Sequence, residues 1–309
     1  MIWVSGEVDG EKYKEPFSKG ILSRSLNIAD IGAVRAYELA NDIEEELIKS
    51  NITEIPSYEL ADVVLNHLEG VNPVVAKKYK NRRSLRASKK PLIILIGGAS
   101  GVGTSSMAFE LANRLRLKNL ISTDMIREVM RKIVSKELSP VIHKSSFDAH
   151  ESIRTPSAGV DPIIEGYISH VDVVNVGIEA IIERSVKEGI STIIEGVHIV
   201  PGFINDELME DNNIIMFTLT VDDEESHKQR FYSRCRQPWV KRSLDRYMEN
   251  FGTIRKTQGF LVDQAKINNV RVINNVDINE TIDIMISDIL ENFGEVNNVE
   301  QESQGNNDN

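Results

Sequence analysis

Cysteine is almost absent from the chain. Cys235 is the only one in 309 residues, which excludes an internal disulfide and points to a reducing, cytoplasmic setting. Long apolar runs are missing too: the longest, near Pro91–Ile96, falls far short of the roughly 20 residues a membrane-spanning helix needs. Met1–Gly6 has neither a basic segment nor a long apolar one, so no secretion signal is expected. Positive charge is in deficit. The 36 Lys and Arg against 47 Asp and Glu leave a net charge of −11, which argues against bulk nucleic-acid binding unless a local basic patch overrides it. The six histidines show no spacing suited to zinc, and no internal repeat is present. What remains, 41% hydrophobic and 27% charged, is the composition of a soluble globular protein, long enough for two domains and compatible with an oligomer.

Composition divides the chain. Residues 1–76 read as mostly helical: Ala33, Ala36, Tyr37, Ala40, Ile43 and Leu47 recur at helical spacing, as do Leu60, Ala61, Val64, Leu65 and Leu68. Between Lys77 and Lys90 stand eight basic residues and no acidic one, readable as a phosphate or nucleic-acid contact or, more plainly, as a solvated helix end and linker. From Leu92 the pattern changes to short apolar runs, Leu92–Ile96, Asn119–Ser122, Ser191–Ile194, Ile214–Leu219 and Val270–Ile273, separated by helical stretches. That alternation predicts an α/β fold with a parallel sheet flanked by helices. The Asn/Gln/Glu-rich residues 295–309 are expected to be disordered.

The first of these runs leads into Gly97-Gly98-Ala99-Ser100-Gly101-Val102-Gly103-Thr104-Ser105, and Met107, Ala108, Leu111, Ala112 and Leu115 follow on one helical face. Strand, glycine loop and helix in that order make a P-loop. Its backbone N–H groups and helix N-terminus cradle phosphate, so residues 98–105 are the candidate ATP contacts, and the Ser105 hydroxyl stands where Mg²⁺ is ligated. The usual lysine is replaced by Thr104. An ammonium about 4 Å from a phosphate charge is worth about 4 kcal/mol at an effective dielectric of 20, so a working site must recover that elsewhere. Between Glu225 and Gln258 nine basic residues stand against two acidic ones. Arg230 and Arg234, one turn apart, are candidates to clamp the transferring phosphoryl group, and Arg242 and Arg246 form a similar pair. Lys228 is a further candidate to stand in for the loop lysine.

Asp124 follows the second apolar run, and Arg127 and Arg131 fall on its line along the next helix, whose buried stripe is predicted as Ile126, Val129, Met130 and Ile133. Two guanidinium forks beside a carboxylate suit an anionic acceptor bearing a hydroxyl, which Asp124 would orient or deprotonate; helix capping is the plainer role for Asp124. Glu195, ending the run beside the P-loop strand, suits an acid that holds Mg²⁺ through water. Ser145, Ser146, His150, Arg154 and His170 lie in a stretch long enough for an acceptor-binding insertion, whereas His198 reads as a packing residue.

With these residues in place, the sequence resembles the archaeal 2-phosphoglycerate kinase family. The resemblance rests on Ile96–Ser106 (IGGASGVGTSS), Ser122–Glu137 (STDMIREVMRKIVSKE), Ile164–Arg184, Ile193–Gly202 (IIEGVHIVPG), Arg230–Arg236 (RFYSRCR) and Arg246–Gln258, and it spans nearly all of residues 91–275. The N-terminal part resembles an ATP-cone through Tyr13–Ser18, the two helices and Val75–Tyr79, although the basic residues usual before the first glycine turn are replaced around Gly6–Gly10. The resemblance implies a regulatory ATP-cone-like domain with a basic linker at 1–88, a P-loop kinase domain at 89–294 and a tail at 295–309. It implies transfer from ATP, with Mg²⁺, to 2-phospho-D-glycerate, giving 2,3-bisphosphoglycerate for cyclic 2,3-diphosphoglycerate synthesis. Two alternatives stay open: a nucleotide-sensing DNA-binding regulator with a non-catalytic P-loop, and a P-loop kinase for another anionic acceptor.

Overall fold

The computed structural model describes residues 1–8, 11–27, 31–87, 90–209, 213–236 and 243–305, and it omits the side chains of residues 8, 27, 78, 81, 82, 84–87 and 293–305. The chain divides into two compact units, 1–87 and 88–309.

The first unit runs β1 (Trp3–Val8), β2 (Glu11–Pro16), α1 (Lys19–Asn27), α2 (Ala33–Lys49), β3 (Glu54–Pro56), α3 (Ser57–Val71) and α4 (Pro73–Ala87). Helices dominate as the periodicity indicates, and Leu26, Ala36, Ala40, Ile43, Leu47, Val64 and Leu68 form the core. In the α2 stripe Tyr37 is exposed, against the sequence reading, and Leu39, which that reading left out, is buried. The small sheet, in order β2-β1-β3, was not expected. Its strands give no alternating signal: β2 is exposed at every residue and β3 has only three. The basic run continues α4, where Arg83 binds Asp62 at 2.9 Å; the side chains of Lys78, Arg82 and Arg86, and Lys89, lie outside the described residues.

The second unit runs β4 (Ile93–Gly98), α5 (Thr104–Leu115), β5 (Asn119–Ser122), α6 (Thr123–Ile133), α7 (Pro162–Glu188), β6 (Thr192–Gly196), α8 (Asp206–Met209), β7 (Ile214–Thr220), α9 (Glu224–Cys235), α10 (Leu244–Glu249), α11 (Phe251–Ile267), β8 (Arg271–Asn274) and α12 (Ile278–Gly305). Two short 3₁₀ turns, Val141–His143 and Ala149–Ser152, lie between α6 and α7. All five apolar runs become strands of one parallel sheet, in order β5-β6-β4-β7-β8. Strands covered on both faces carry unbroken apolar side chains instead of alternating ones, and every residue of β4 and of β6 is buried.

Register places the chemistry. Glu195 pairs with Ile96 on one side and with Ser122 on the other. The acid of β6 thus sits between the mouth of the glycine loop and the start of α6. On α6 itself only part of the predicted stripe is buried: Ile126 and Met130 pack on the core, whereas Val129 is 61% and Ile133 78% exposed. Because α6 follows the edge strand β5, no further strand lies outboard to cover that side. The closing helix α12 runs through residues 295–305, the stretch expected to be disordered; their side chains, and residues 306–309 entirely, lie outside the described residues. Among the described residues no helix is long and apolar enough to cross a membrane.

Candidate active site: a lysine-free phosphate loop facing a row of arginines

A cavity of about 510 Å³ opens where β4, β5 and β6 end. In open parallel sheets this edge is the usual position of a ligand crevice. The cavity is lined from one side by Gly98, Ala99, Ser100, Gly101, Thr104 and Ser105, and from another by Asp124, Arg127 and Arg131. Glu195 lies between them and Arg234 reaches in from α9. Most predicted site residues therefore share one space.

Thr104 and Ser105 both turn to Glu195. The Thr104 hydroxyl donates to one carboxylate oxygen at 2.7 Å and the Ser105 hydroxyl to the other at 3.0 Å. Glu195 is buried, and these two donors supply the partners a buried carboxylate needs. The residue in the lysine position thus anchors the acid of β6. Ser105 and Glu195 form a hydroxyl–carboxylate pair, the kind of hard oxygen donor set that suits Mg²⁺. Among the described residues no group of three or more His, Cys, Asp or Glu is arranged to hold a metal alone.

On the other wall, Ser122 holds the N-cap position of α6, and Asp124, in the first turn, lines the cavity. Arg127 lies 3.8 Å from Asp124 and donates to the Lys144 carbonyl at 3.3 Å. Arg131 is tied to Glu128 at 2.6 Å. Behind them Thr123, His198 and His170 are fully buried. The Thr123 hydroxyl is 2.8 Å from His198 Nδ1, and the two imidazoles meet edge to face at 5.0 Å. Burial, followed by the positive charge of Arg127, holds His198 down at about 3. Burial, then His198 and Arg127, holds His170 at about 2. Both rings are neutral, and His198 packs as the sequence indicates.

Several expectations change. Arg230 is absent from the cavity lining, and its guanidinium donates to the carbonyls of Val102, at 2.7 Å, and of Asn275. Lys228 lies over the Phe251 ring at 5.2 Å and near Glu225 at 3.9 Å, so it does not replace the loop lysine. Val102 and Gly103 likewise sit in the loop without lining the cavity. Of the proposed insertion, Ser145 and Ser146 line the cavity but His150, Arg154 and His170 do not.

The sequence reading missed Phe147, Tyr247 and Asp148. Phe147 and Tyr247 line the cavity, with ring centroids 6.0 Å apart. Arg246, also lining it, lies over Phe147 at 5.5 Å and bridges Asp148 and Ser145. The position of Asp148, two residues beyond Ser146, was the one available hint. The other half of the predicted pair, Arg242, lies with Lys241 outside the described residues.

Residues 8–88 match the ATP cone domain. The chain is 53% identical over 290 residues to a 2-phosphoglycerate kinase of Methanothermobacter thermautotrophicus, covering 94% of this chain and 95% of that one. A 2-phosphoglycerate kinase of Methanopyrus kandleri is 44% identical over 91% of this chain and 85% of its own. One of Pyrococcus horikoshii is 41% identical over 93% and 94%. Among solved structures, shikimate kinase from Acinetobacter baumannii aligns with 68% of this chain and 98% of its own, at 14% identity and a TM-score of 0.38.

Proposed function

The chain belongs to the archaeal 2-phosphoglycerate kinases, and from that membership we propose that it phosphorylates the free hydroxyl of 2-phospho-D-glycerate with ATP, giving ADP and 2,3-bisphosphoglycerate. The observation that carries this reading is the single cavity shared by the glycine loop, Glu195 and the Asp124–Arg127–Arg131 line.

The amides of the loop residues that line the cavity, Gly98 to Gly101, Thr104 and Ser105, bind the phosphates of ATP at the N-terminus of α5, where the helix dipole adds positive potential. Ser105 and Glu195 would hold Mg²⁺, which would supply charge neutralisation for the phosphates of ATP. Arg127 and Arg131 take the carboxylate and phosphate of the acceptor, since guanidinium forks match such groups bidentately. Asp124 accepts the hydroxyl proton as that oxygen forms its bond to the γ-phosphorus. The bond to the bridging oxygen breaks, and ADP leaves with its electron pair. Arg234 and Arg246 stand where they can stabilise the transferring group, an effect that reaches about 10³–10⁵ in rate for an arginine so placed. Keeping water out of this space prevents hydrolysis of ATP. The lone cysteine and the small anionic acceptor support a cytoplasmic location, with 2,3-bisphosphoglycerate passing to cyclic 2,3-diphosphoglycerate synthesis.

An ATP-consumption assay across phosphorylated three-carbon acids tests the assignment. Turnover with 2-phosphoglycerate well above that with 3-phosphoglycerate or glycerate is expected. Equal turnover with all of them, or none with any, would overturn it.

A further inference from the structure

The outer side of the glycine loop is held as firmly as its inner side is open. His227 Nε2 lies 2.8 Å from the Ser100 carbonyl. That oxygen can only accept, so the ring carries a proton on Nε2, and burial lowers the pKa of the imidazole below its ordinary value. Arg230 Nη1 donates to the Val102 carbonyl at 2.7 Å, Asn275 Nδ2 donates to the same oxygen at 2.8 Å, and Arg230 Nη2 donates to the Asn275 carbonyl. Asn275 is 1% exposed, and its Oδ1 accepts from Thr281.

A trans peptide points its C=O and the following N–H in opposite directions. Fixing the Ser100 and Val102 carbonyls outward therefore turns the following N–H groups, of Gly101 and Gly103, the opposite way, and Gly101 lines the cavity. The loop is shaped to let these donors approach. A Cβ on Gly103 would lie 2.8 Å from Asn275 Nδ2 and 3.2 Å from Arg230 Nη1, and one on Gly101 would lie 2.5 Å from the Phe231 ring.

We propose that His227, Arg230 and Asn275 are positioning residues for the phosphate loop, which preorganise its amides and so offset the missing lysine. This rests on the reading of the loop as the ATP site. Preorganised donors cost no reorganisation when the ligand arrives, and the guanidinium adds positive charge close behind the loop.

The test uses the full chain with Arg230→Met, Arg230→Lys and Asn275→Asp, reading ATP affinity by titration calorimetry, the KM of each substrate, and the thermal melt. Losing the charge-assisted hydrogen bond to the loop at the Val102 carbonyl predicts about a tenfold weaker ATP affinity for Arg230→Met. The KM for 2-phosphoglycerate stays unchanged, and Arg230→Lys recovers part of the loss. Asn275→Asp, which presents an acceptor to the Val102 carbonyl, weakens ATP in the same way and covers the case in which Arg230→Met does not fold. Folded variants that bind ATP as the wild type does would overturn the proposal, as would equal losses for both substrates. A wild-type chain that bound no ATP would overturn the phosphate-loop reading itself.

Discussion

Thr104 shows how much of this site is decided by single side chains. Placed where an ammonium normally meets phosphate, it hydrogen-bonds to Glu195 instead, and the positive charge comes from arginines on α6, α9 and α10. Arg230 and Arg234, one turn apart, face different ways: Arg234 reaches the cavity while Arg230 turns to the Val102 and Asn275 carbonyls. The buried imidazoles behind Asp124 have a consequence of their own. Burial sets His170 at about 2 and His198 at about 3, below the 6.5 of the unfolded chain, so below about pH 6.5 the unfolded state binds protons that the folded state refuses. Stability from these residues is complete above that pH and declines as the pH falls, by about 1.4 kcal/mol per unit for each histidine. Urea midpoints of the second unit at neutral pH and near pH 5 should show this fall, and His170→Phe should flatten it. An unchanged slope in that variant would contradict the account.

At the scale of elements, turns and registers set what the sequence made visible. The five strands of the second unit were legible because unbroken apolar runs ended in loops, and the P-loop because it joined a strand to a helix. The first sheet was not, since β2 is charged and exposed throughout. On α6 the period correctly aligned Asp124, Arg127 and Arg131, yet it placed Val129 and Ile133 inside, because periodicity does not reveal that a helix follows an edge strand. Phe147 and Arg246 were hidden as a pair for a similar reason: they meet only after the chain between α6 and α7 folds back over α10. Loop geometry yields a sharper prediction. Gly101 has φ +89 and faces Phe231, whereas Gly252 has nothing within 4 Å of a would-be Cβ. Gly101→Ala should cost at least about 1 kcal/mol and abolish tight ATP binding, while Gly252→Ala should be neutral or stabilising by about 0.5–1 kcal/mol. Thermal melts and nucleotide titrations of the two variants separate these outcomes, and equal behaviour would refute the assigned geometry.

Across the whole molecule, a net charge of −11 coexists with a cavity holding four arginines. Such focusing of positive potential inside an acidic protein suits a small polyanion. The same contrast makes the missing lysine tolerable, because cationic groups converge from several elements on one enclosed space. The ATP cone unit folds around its own core. The central claim is that a lysine-free loop drives transfer to the acceptor. Phosphorus NMR of the full chain with Mg²⁺, ATP and 2-phosphoglycerate tests it most directly. The account predicts a new phosphoester resonance on C3 growing in step with ADP, slowed about 10²–10⁴-fold by Asp124→Asn while ATP still binds. ADP appearing with inorganic phosphate alone, or undiminished transfer in that variant, would contradict it.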